Sequence, residues 1–187
     1  MKKTILTLLV VISFFNLTSC SSDDNKPDPK KNEIETNEKN IPITNIRIFN
    51  EGSFNTIDVN GTPTEVVEYV LYIMNGLDIS NDQEFSNKGD YLILVLTSPS
   101  ENKLTSGTYN YNQNSDGFLL DEGAYLLNYD ATQGDDRPDR DVEIASGSIT
   151  VDRDEDNYTI QINLKDSNNN NVTGFYKGNI TTSITAI

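Results

Sequence analysis

The 187-residue chain predicts an all-β domain of eight or nine antiparallel strands, closed as an up-and-down barrel or, as second choice, packed as a β-sandwich. Three observations carry this. Apolar residues recur at every second position through much of the chain after residue 44. Runs rich in Asn, Asp and Gly separate these stretches at strand-length intervals. No segment of the same region shows a convincing amphipathic helical spacing. Residues 44–187 are enough for one domain with a sizeable core.

The elements follow in chain order. Met1-Lys2-Lys3 is a short basic start, and Ile5 to Phe15 is apolar apart from Thr7 and Ser13. This has the layout of a secretory signal over residues 1–19, and it is shorter than the roughly 20 apolar residues that span a bilayer. Leu17-Thr18-Ser19-Cys20 ends it and contains the only cysteine of the chain. One cysteine excludes an intramolecular disulfide, and no neighbouring charge is placed to make Cys20 a reactive thiolate. Residues 20–43 are rich in Asp, Glu, Lys, Asn and Pro, so a disordered acidic tether is expected there. Fully stretched, this tether reaches roughly 75 Å; as a flexible coil it spans roughly 25 Å.

The β-domain begins with short strands expected at Asn45–Phe49 and Phe54–Val59, then a long one at Val66–Met74 after an Asn60-Gly61 turn signal. Asn75 to Asp90 reads as a loop before the strand Tyr91–Leu96. Gly107–Tyr111 and Phe118–Tyr129 follow, the second broken near Gly123. Gly147–Val151, Tyr158–Leu164 and Val172–Ile180 form an antiparallel meander around the turn runs "DRDED" and "KDSNNNN". Tyr91–Leu96 is apolar on both faces and Val66–Met74 nearly so. A strand covered on both sides accounts for that pattern, as does a ligand cavity or an exposed docking patch.

Three resemblances bear on placement and fold. Leu17-Thr18-Ser19-Cys20 resembles the lipobox of bacterial lipoproteins, which implies cleavage after Ser19, diacylglycerol on the Cys20 sulfur and acylation (commonly palmitate) of the new amino terminus. Several chains on one residue meet the requirement for stable anchoring, since each buried methylene contributes about 0.8 kcal/mol. Ser21-Ser22-Asp23-Asp24 is similar to the serine-then-acidic export signal of Bacteroidota-type lipoproteins, implying the outer membrane with the domain facing the cell exterior; the periplasmic face is the alternative. The segments Leu104–Asn112, "GSITVDRDEDNYTIQI" and Val172–Ile180 resemble small β-rich lipoproteins of that group. That resemblance implies a lipocalin-like barrel, closed or nearly so, and carries no site residue.

Composition excludes several chemistries. The chain has no His, so a Ser-His-Asp or Cys-His nucleophilic site and a Cys/His zinc site are ruled out. The formal charge is -15, and the chain from Cys20 onward is two charges more negative because Lys2 and Lys3 precede it. Such a surface repels nucleic acid and anionic headgroups, so membrane contact is expected only through the lipid. With 29 Asp and Glu, almost any carboxylate pair could be nominated for hydrolysis, and no catalytic residue is singled out. Calcium takes oxygen ligands and needs no His, and three runs invite it: Asp130–Asp141, Asp152–Asp156 and Asp166–Asn171. The last begins like an EF-hand loop but has Asn171 where Gly belongs and Lys177 where Glu belongs. In the first, Arg137 and Arg140 can neutralise the acids. No cofactor and no metal site is therefore assigned.

The nine tyrosines, with Tyr109/Tyr111 and Tyr125/Tyr129 expected to share faces, could stack on sugars or form cross-strand pairs. Asn157, Asn171 and Asn179 each begin an Asn-x-Thr sequence and read as strand-end polar residues. The functional expectation is a non-catalytic binding or accessory module with a protein or glycan ligand. A carboxylate-dependent hydrolase acting on polysaccharide and a structural subunit of a surface complex are the alternatives.

Overall fold

Strand alternation and a few glycine-marked bulges account for most of the architecture. The computed structural model describes residues 30–57, 63–99, 102–113, 118–133 and 141–184. Cys20, the signal segment, the first part of the tether, the Asn60-Gly61 turn and most of the Asp130–Asp141 run lie outside them. The strands are β1 (Glu33–Glu35), β2 (Asn40–Pro42), β3 (Asn45–Ile57), β4 (Pro63–Ile79), β5 (Phe85–Ser98) and β6 (Gly107–Asn110). They continue with β7 (Leu119–Asp130), β8 (Val142–Asp154), β9 (Asn157–Asp166), β10 (Asn171–Asn179) and β11 (Thr181–Ile184). The domain is all-β, and a single 3₁₀ turn at Ala131–Gln133 follows β7.

Several elements are longer than the local pattern indicated. The two short strands expected before residue 60 are one strand, β3, bent by a bulge between Asn50 and Gly52. Gly52 has φ +106, and its N–H donates to Asn50 Oδ1 at 2.9 Å. The expected loop Asn75–Asp90 contracts to Ser80–Glu84, because β4 and β5 continue pairing past a bulge between Asn75 and Leu77. Gly76 (φ +75) turns the chain there, and across from it a Cβ on Gly89 would lie 1.9 Å from the Asn75 carbonyl oxygen. β7 runs through Gly123 unbroken, with a register shift against β5 at that level. Asn157 opens β9, while Asn171 and Asn179 open and close β10, as strand-end polar residues.

The strands form one 11-stranded sheet in the order β11-β3-β4-β5-β7-β8-β9-β10-β1-β2, with β6 paired to β8 off this path. All pairings are antiparallel except that of β11 with β3. β11 follows β10 after one residue, Ile180, yet pairs at the opposite end of the path, so the sheet must roll. The closed barrel expected from sequence is not formed: the ladder ends at β2 and at β11. The reason lies at the amino-terminal side. β1 pairs with β10 at Thr173–Phe175, placing the β1–β2 hairpin where a closing strand would lie.

That hairpin also revises the tether. Residues from Glu33 onward are strand, with Ile34 and Ile41 1 % and 2 % exposed in the interior core. Asn32 is exchanged with Lys177, accepting from its N–H and donating to its carbonyl. Lys39 donates to the buried Asp90 carboxylate on β5 at 2.7 Å, which also accepts from the Asn128 N–H and Asn75 Nδ2.

Two apolar cores result. One lies inside the roll and takes Ile48, Leu71, Leu94, Leu120, Ile149 and Ile160 among others. Leu104, in the segment between β5 and β6, is fully buried in it. The second lies on the other face of the central strands and contains Phe49, Val70, Tyr72, Met74, Tyr91 and Leu126. The distal β4–β5 hairpin covers it: Leu77 and Ile79 are buried, and Phe85 stacks on Tyr91 with centroids 4.9 Å apart and meets Tyr72 and Tyr129 edge-on. Its tip reaches back to β3, where Gln83 donates to Glu51 at 2.7 Å and Arg47 donates to Asn81 at 2.8 Å. Each such aromatic pair adds about 0.5–1.5 kcal/mol beyond its buried area. The doubly apolar strands are thus covered on both sides by the chain itself. Among the described residues Phe54 is the one large hydrophobe classed as exposed.

Tyr69, Tyr109 and Tyr158 are fully buried at one end of the interior core. Tyr109 Oη donates to the Thr105 carbonyl at 2.7 Å, whereas Tyr158 Oη has no hydrogen-bond partner among the described residues. Removing an unpartnered buried hydroxyl relieves a desolvation cost; removing a bonded one leaves an acceptor orphaned. Tyr158→Phe is therefore expected to unfold in urea at the same or a higher midpoint than the wild type. Tyr109→Phe is expected to lose about 1 kcal/mol. A Tyr158→Phe loss equal to that of Tyr109→Phe would contradict this.

Candidate functional site

The strand ladder lapses at one interior position. β7 and β8 are neighbours, but they pair only at Ala124 with Glu143 and Tyr125 with Val142. Both strands carry an extra residue beside this point: Asp121 is skipped in the pairing of β7 with β5, and Ala145 in the pairing of β8 with β9. A bulge bends its strand and raises the local twist, and two bulges on facing strands turn them apart. On the far side of the gap β6 runs along β8. The Tyr111 N–H donates to the Gly147 carbonyl and the Asn112 N–H to the Leu120 carbonyl, both at 3.0 Å.

The opening is a cleft of about 410 Å³ lined by Ile93, Val95, Tyr111, Glu122, Gly123, Ala124, Asp141, Glu143 and Ile144. Its wall is apolar where β5 contributes half-buried Ile93 and Val95. Gly123 is required by close packing, because a Cβ there would lie 2.7 Å from Leu94 Cδ2 and 3.0 Å from Ile144 Cγ1. Glu122, Asp141 and Glu143 are exposed, and no described Lys or Arg pairs with them. The ion pairs among described residues serve other acids: Lys39 with Asp90, Lys88 with Asp130 and Lys103 with Asp156.

The acidic rim extends onto the neighbouring face. Burial first, then the charges of Asp121, Glu51 and Glu122, push the Glu68 carboxyl above its ordinary value. The folded state therefore holds this proton more tightly than the unfolded chain does. Stability from this source falls as pH rises through the carboxylate range. Glu68→Gln is expected to raise the urea midpoint at neutral pH and to leave it unchanged near pH about 3, where the wild-type carboxyl is protonated in both states. Equal gains at both pH values would assign the effect to packing.

The closed end of the cleft is fastened by Asp166, which is 1 % exposed. Its Oδ1 accepts from the N–H groups of Asn168 and Asn170 at 2.9 and 2.8 Å. Its Oδ2 accepts from Asn170 Nδ2 and Tyr125 Oη, both at 3.1 Å. Burial pushes the Asp166 carboxyl up, but the donors outweigh it and hold it below its usual value. The same environment raises Tyr125: burial, then the Asp166 acceptor, push its phenol up to about 12. Asn169 at φ +63 completes a three-residue turn closed by the Asp166 N–H to the Asn170 carbonyl. Asp166→Ala leaves these donors without their acceptor and is expected to cost about 2–3 kcal/mol in urea unfolding. A loss under 1 kcal/mol, on the order of a single neutral hydrogen bond, would show the turn to be self-sufficient.

The candidate residues from sequence fall as follows. Cys20 lies outside the described residues. The Asp166–Asn171 run forms the turn just described, its first carboxylate filled by the chain's own donors. In the Asp130–Asp141 run, Asp130 bonds Lys88, Thr132 and Gln133, and Asp141 sits at the cleft. Among the described residues no group of three or more acids is arranged to hold a metal ion. Tyr109 is fully buried and Tyr111 half-buried against the same core. Tyr125 and Tyr129 face opposite cores, because Asn128 at φ +58 adds a residue between them relative to β5. Six of the nine tyrosines are buried and none is fully exposed. Sequence singled out Asp141, in the Asp130–Asp141 run, and Tyr111, beside Tyr109, and noted an irregularity at Gly123, but it did not group them with Glu122 and Glu143.

Neither the protein-family models, nor the curated proteins, nor the solved structures contain a significant match to this chain. Among the described residues no helix is long and apolar enough to cross a membrane.

Proposed function

We propose that this chain is a cell-envelope lipoprotein, acylated at Cys20 and held in the outer membrane with its β-domain facing the cell exterior. The domain acts as a non-catalytic binding or accessory module. The lipobox-like Leu17–Cys20 segment and the charged residues after it support the anchor. The β7–β8 cleft is the observation that carries the binding role: it is the place where the sheet leaves two strands apart and gathers apolar, aromatic and acidic side chains. A protein or glycan ligand is the partner class, nucleic acid being disfavoured by the charge. The resemblance to small β-rich, lipocalin-like lipoproteins remains part of the proposal, without the closed barrel.

One observation favours a second reading. Glu122, Asp141 and Glu143 line a single cleft, which is the setting a carboxylate-dependent polysaccharide hydrolase requires. Turnover of a polysaccharide panel, abolished by Glu122→Gln or Glu143→Gln, would establish it. The alternative of a structural subunit docking through the doubly apolar strands receives less support, since those faces are buried by the chain's own hairpin.

The anchor is tested by fractionating cells that express Cys20→Ala. The variant is expected in the soluble fraction or as an uncleaved precursor, and the wild type in outer-membrane pellets accessible to added protease. Unchanged outer-membrane partition of the variant would overturn the anchor.

A further inference from the structure

We propose that the outer face of β8, β9, β10 and β1 lies against the phosphate-bearing headgroups of the membrane that holds the Cys20 lipid, with Lys30, Lys31, Lys177 and Phe175 as its contacts. This rests on the anchored-module reading and adds to it the orientation of the domain.

Three observations select this face and this partner. The first is where the chain enters the domain. Lys30 Nζ lies 5.2 Å from the centroid of the Phe175 ring, and Lys30 and Lys31 border a depression of about 350 Å³ with Gln161, Asn163, Thr173 and Phe175. Those β9 and β10 side chains alternate with Ile160, Ile162, Leu164 and Val172 of the interior core, so they point outward. The second is reach. Strand begins at Glu33 and the chain is already seated on β10 at Lys30, so only residues 20–29 separate the Cys20 sulfur from the domain. They reach at most roughly 35 Å. A domain of this size is roughly 40 Å across, so the way round from one face to the opposite one is roughly 60 Å. The anchor therefore keeps the entry face turned to the membrane.

The third is charge. Lys30, Lys31, Lys165 and Lys177 stand on this face with Glu33, Glu35, Asp152 and Asp154, so its charges cancel in a chain whose formal charge is -15. Across the interior core, Glu51, Asp121 and Glu122 lie close enough to Glu68 to act on its charge. An anionic surface repels that acidic side and spares the entry face. Lysine stems lie along such a layer while their ammonium groups meet phosphate, each contributing about 1 kcal/mol. The whole chain repels headgroups; the face that the lipid holds next to them is the exception.

The test uses the acylated full chain reconstituted in vesicles of equal parts phosphatidylcholine and phosphatidylglycerol. Cys20 is the one cysteine and the lipid blocks its sulfur, so Gln161→Cys on the outer face of β9, or Asp82→Cys on the tip of the β4–β5 hairpin across the core, supplies a single thiol for bimane. Both positions are exposed. Quenching by phosphatidylcholine spin-labelled on its headgroup reads their distance from the membrane. The Gln161→Cys label is expected to be quenched about threefold or more strongly than the Asp82→Cys label. Adding Lys30→Gln/Lys31→Gln/Lys177→Gln is expected to reduce the Gln161→Cys quenching about twofold or more. Circular dichroism should stay unchanged, because the three lysines are exposed. Equal quenching at the two positions, or the reverse order, would overturn the orientation. Quenching unmoved by the lysine variant would overturn the headgroup contact. A wild-type chain that carries no acyl group would overturn the anchored reading and this proposal with it, whereas an acylated, vesicle-bound chain with equal quenching overturns this proposal alone.

Discussion

The structure depends on burying both faces of β4 and β5. Each strand is apolar on two sides, and a rolled sheet hides only one of them. The chain has no internal disulfide available and, among its described residues, no helix to lay over the other face. It solves the problem with its own hairpin. The bulge at Asn75–Leu77, with Gly76 and Gly89 in close approach, lets the distal β4–β5 ribbon fold across the outer face and seat Phe85 among Tyr72, Tyr91 and Tyr129. Large aromatic side chains bury the most area per residue, so a few of them suffice to close a small second core.

The remaining departures from a closed barrel follow from local bends of the same kind. Bulges at Asp121 and Ala145 separate β7 from β8, and the β1–β2 hairpin occupies the space beside β10. Opening the ladder at an interior position leaves polar backbone that needs water, side chains or another chain. Exposed acids, Glu122, Asp141 and Glu143, line that opening. Asp166 holds the paired end of the cleft through the turn at its back, coupling β7 to the β9–β10 hairpin across β8.

Much of the fold was legible in the sequence because its strands alternate. Tyr158–Leu164 puts Tyr158, Ile160, Ile162 and Leu164 on one face, and all four are buried in the interior core. The double coverage of Tyr91–Leu96 was legible as a possibility, but which chain segment supplies the cover depends on two glycines, Gly76 and Gly89, whose role appears only in three dimensions. β1 and β2 were hidden for another reason. Ile34 and Ile41 are isolated apolar residues in a charged run, and their burial rests on pairing with β10 more than a hundred residues away. The cleft was not legible, because a bulge is a relation between two strands, and neither Asp121 nor Ala145 announces one by type. Tyr125 and Tyr129 show the same limit: a single left-handed residue, Asn128, sends them to different cores.

Amide hydrogen exchange on the intact protein addresses the account most directly, since it reports strand pairing residue by residue. The account predicts strong protection along β4, β5 and β9, protection at Ala124–Tyr125 and Val142–Glu143, and rapid exchange of amides at 121–123 and 144–146 that have no partner on either side. Uniform slow exchange through both stretches would mean that β7 and β8 are joined along their length. The ladder would then be continuous between β7 and β8, contradicting the cleft described between them.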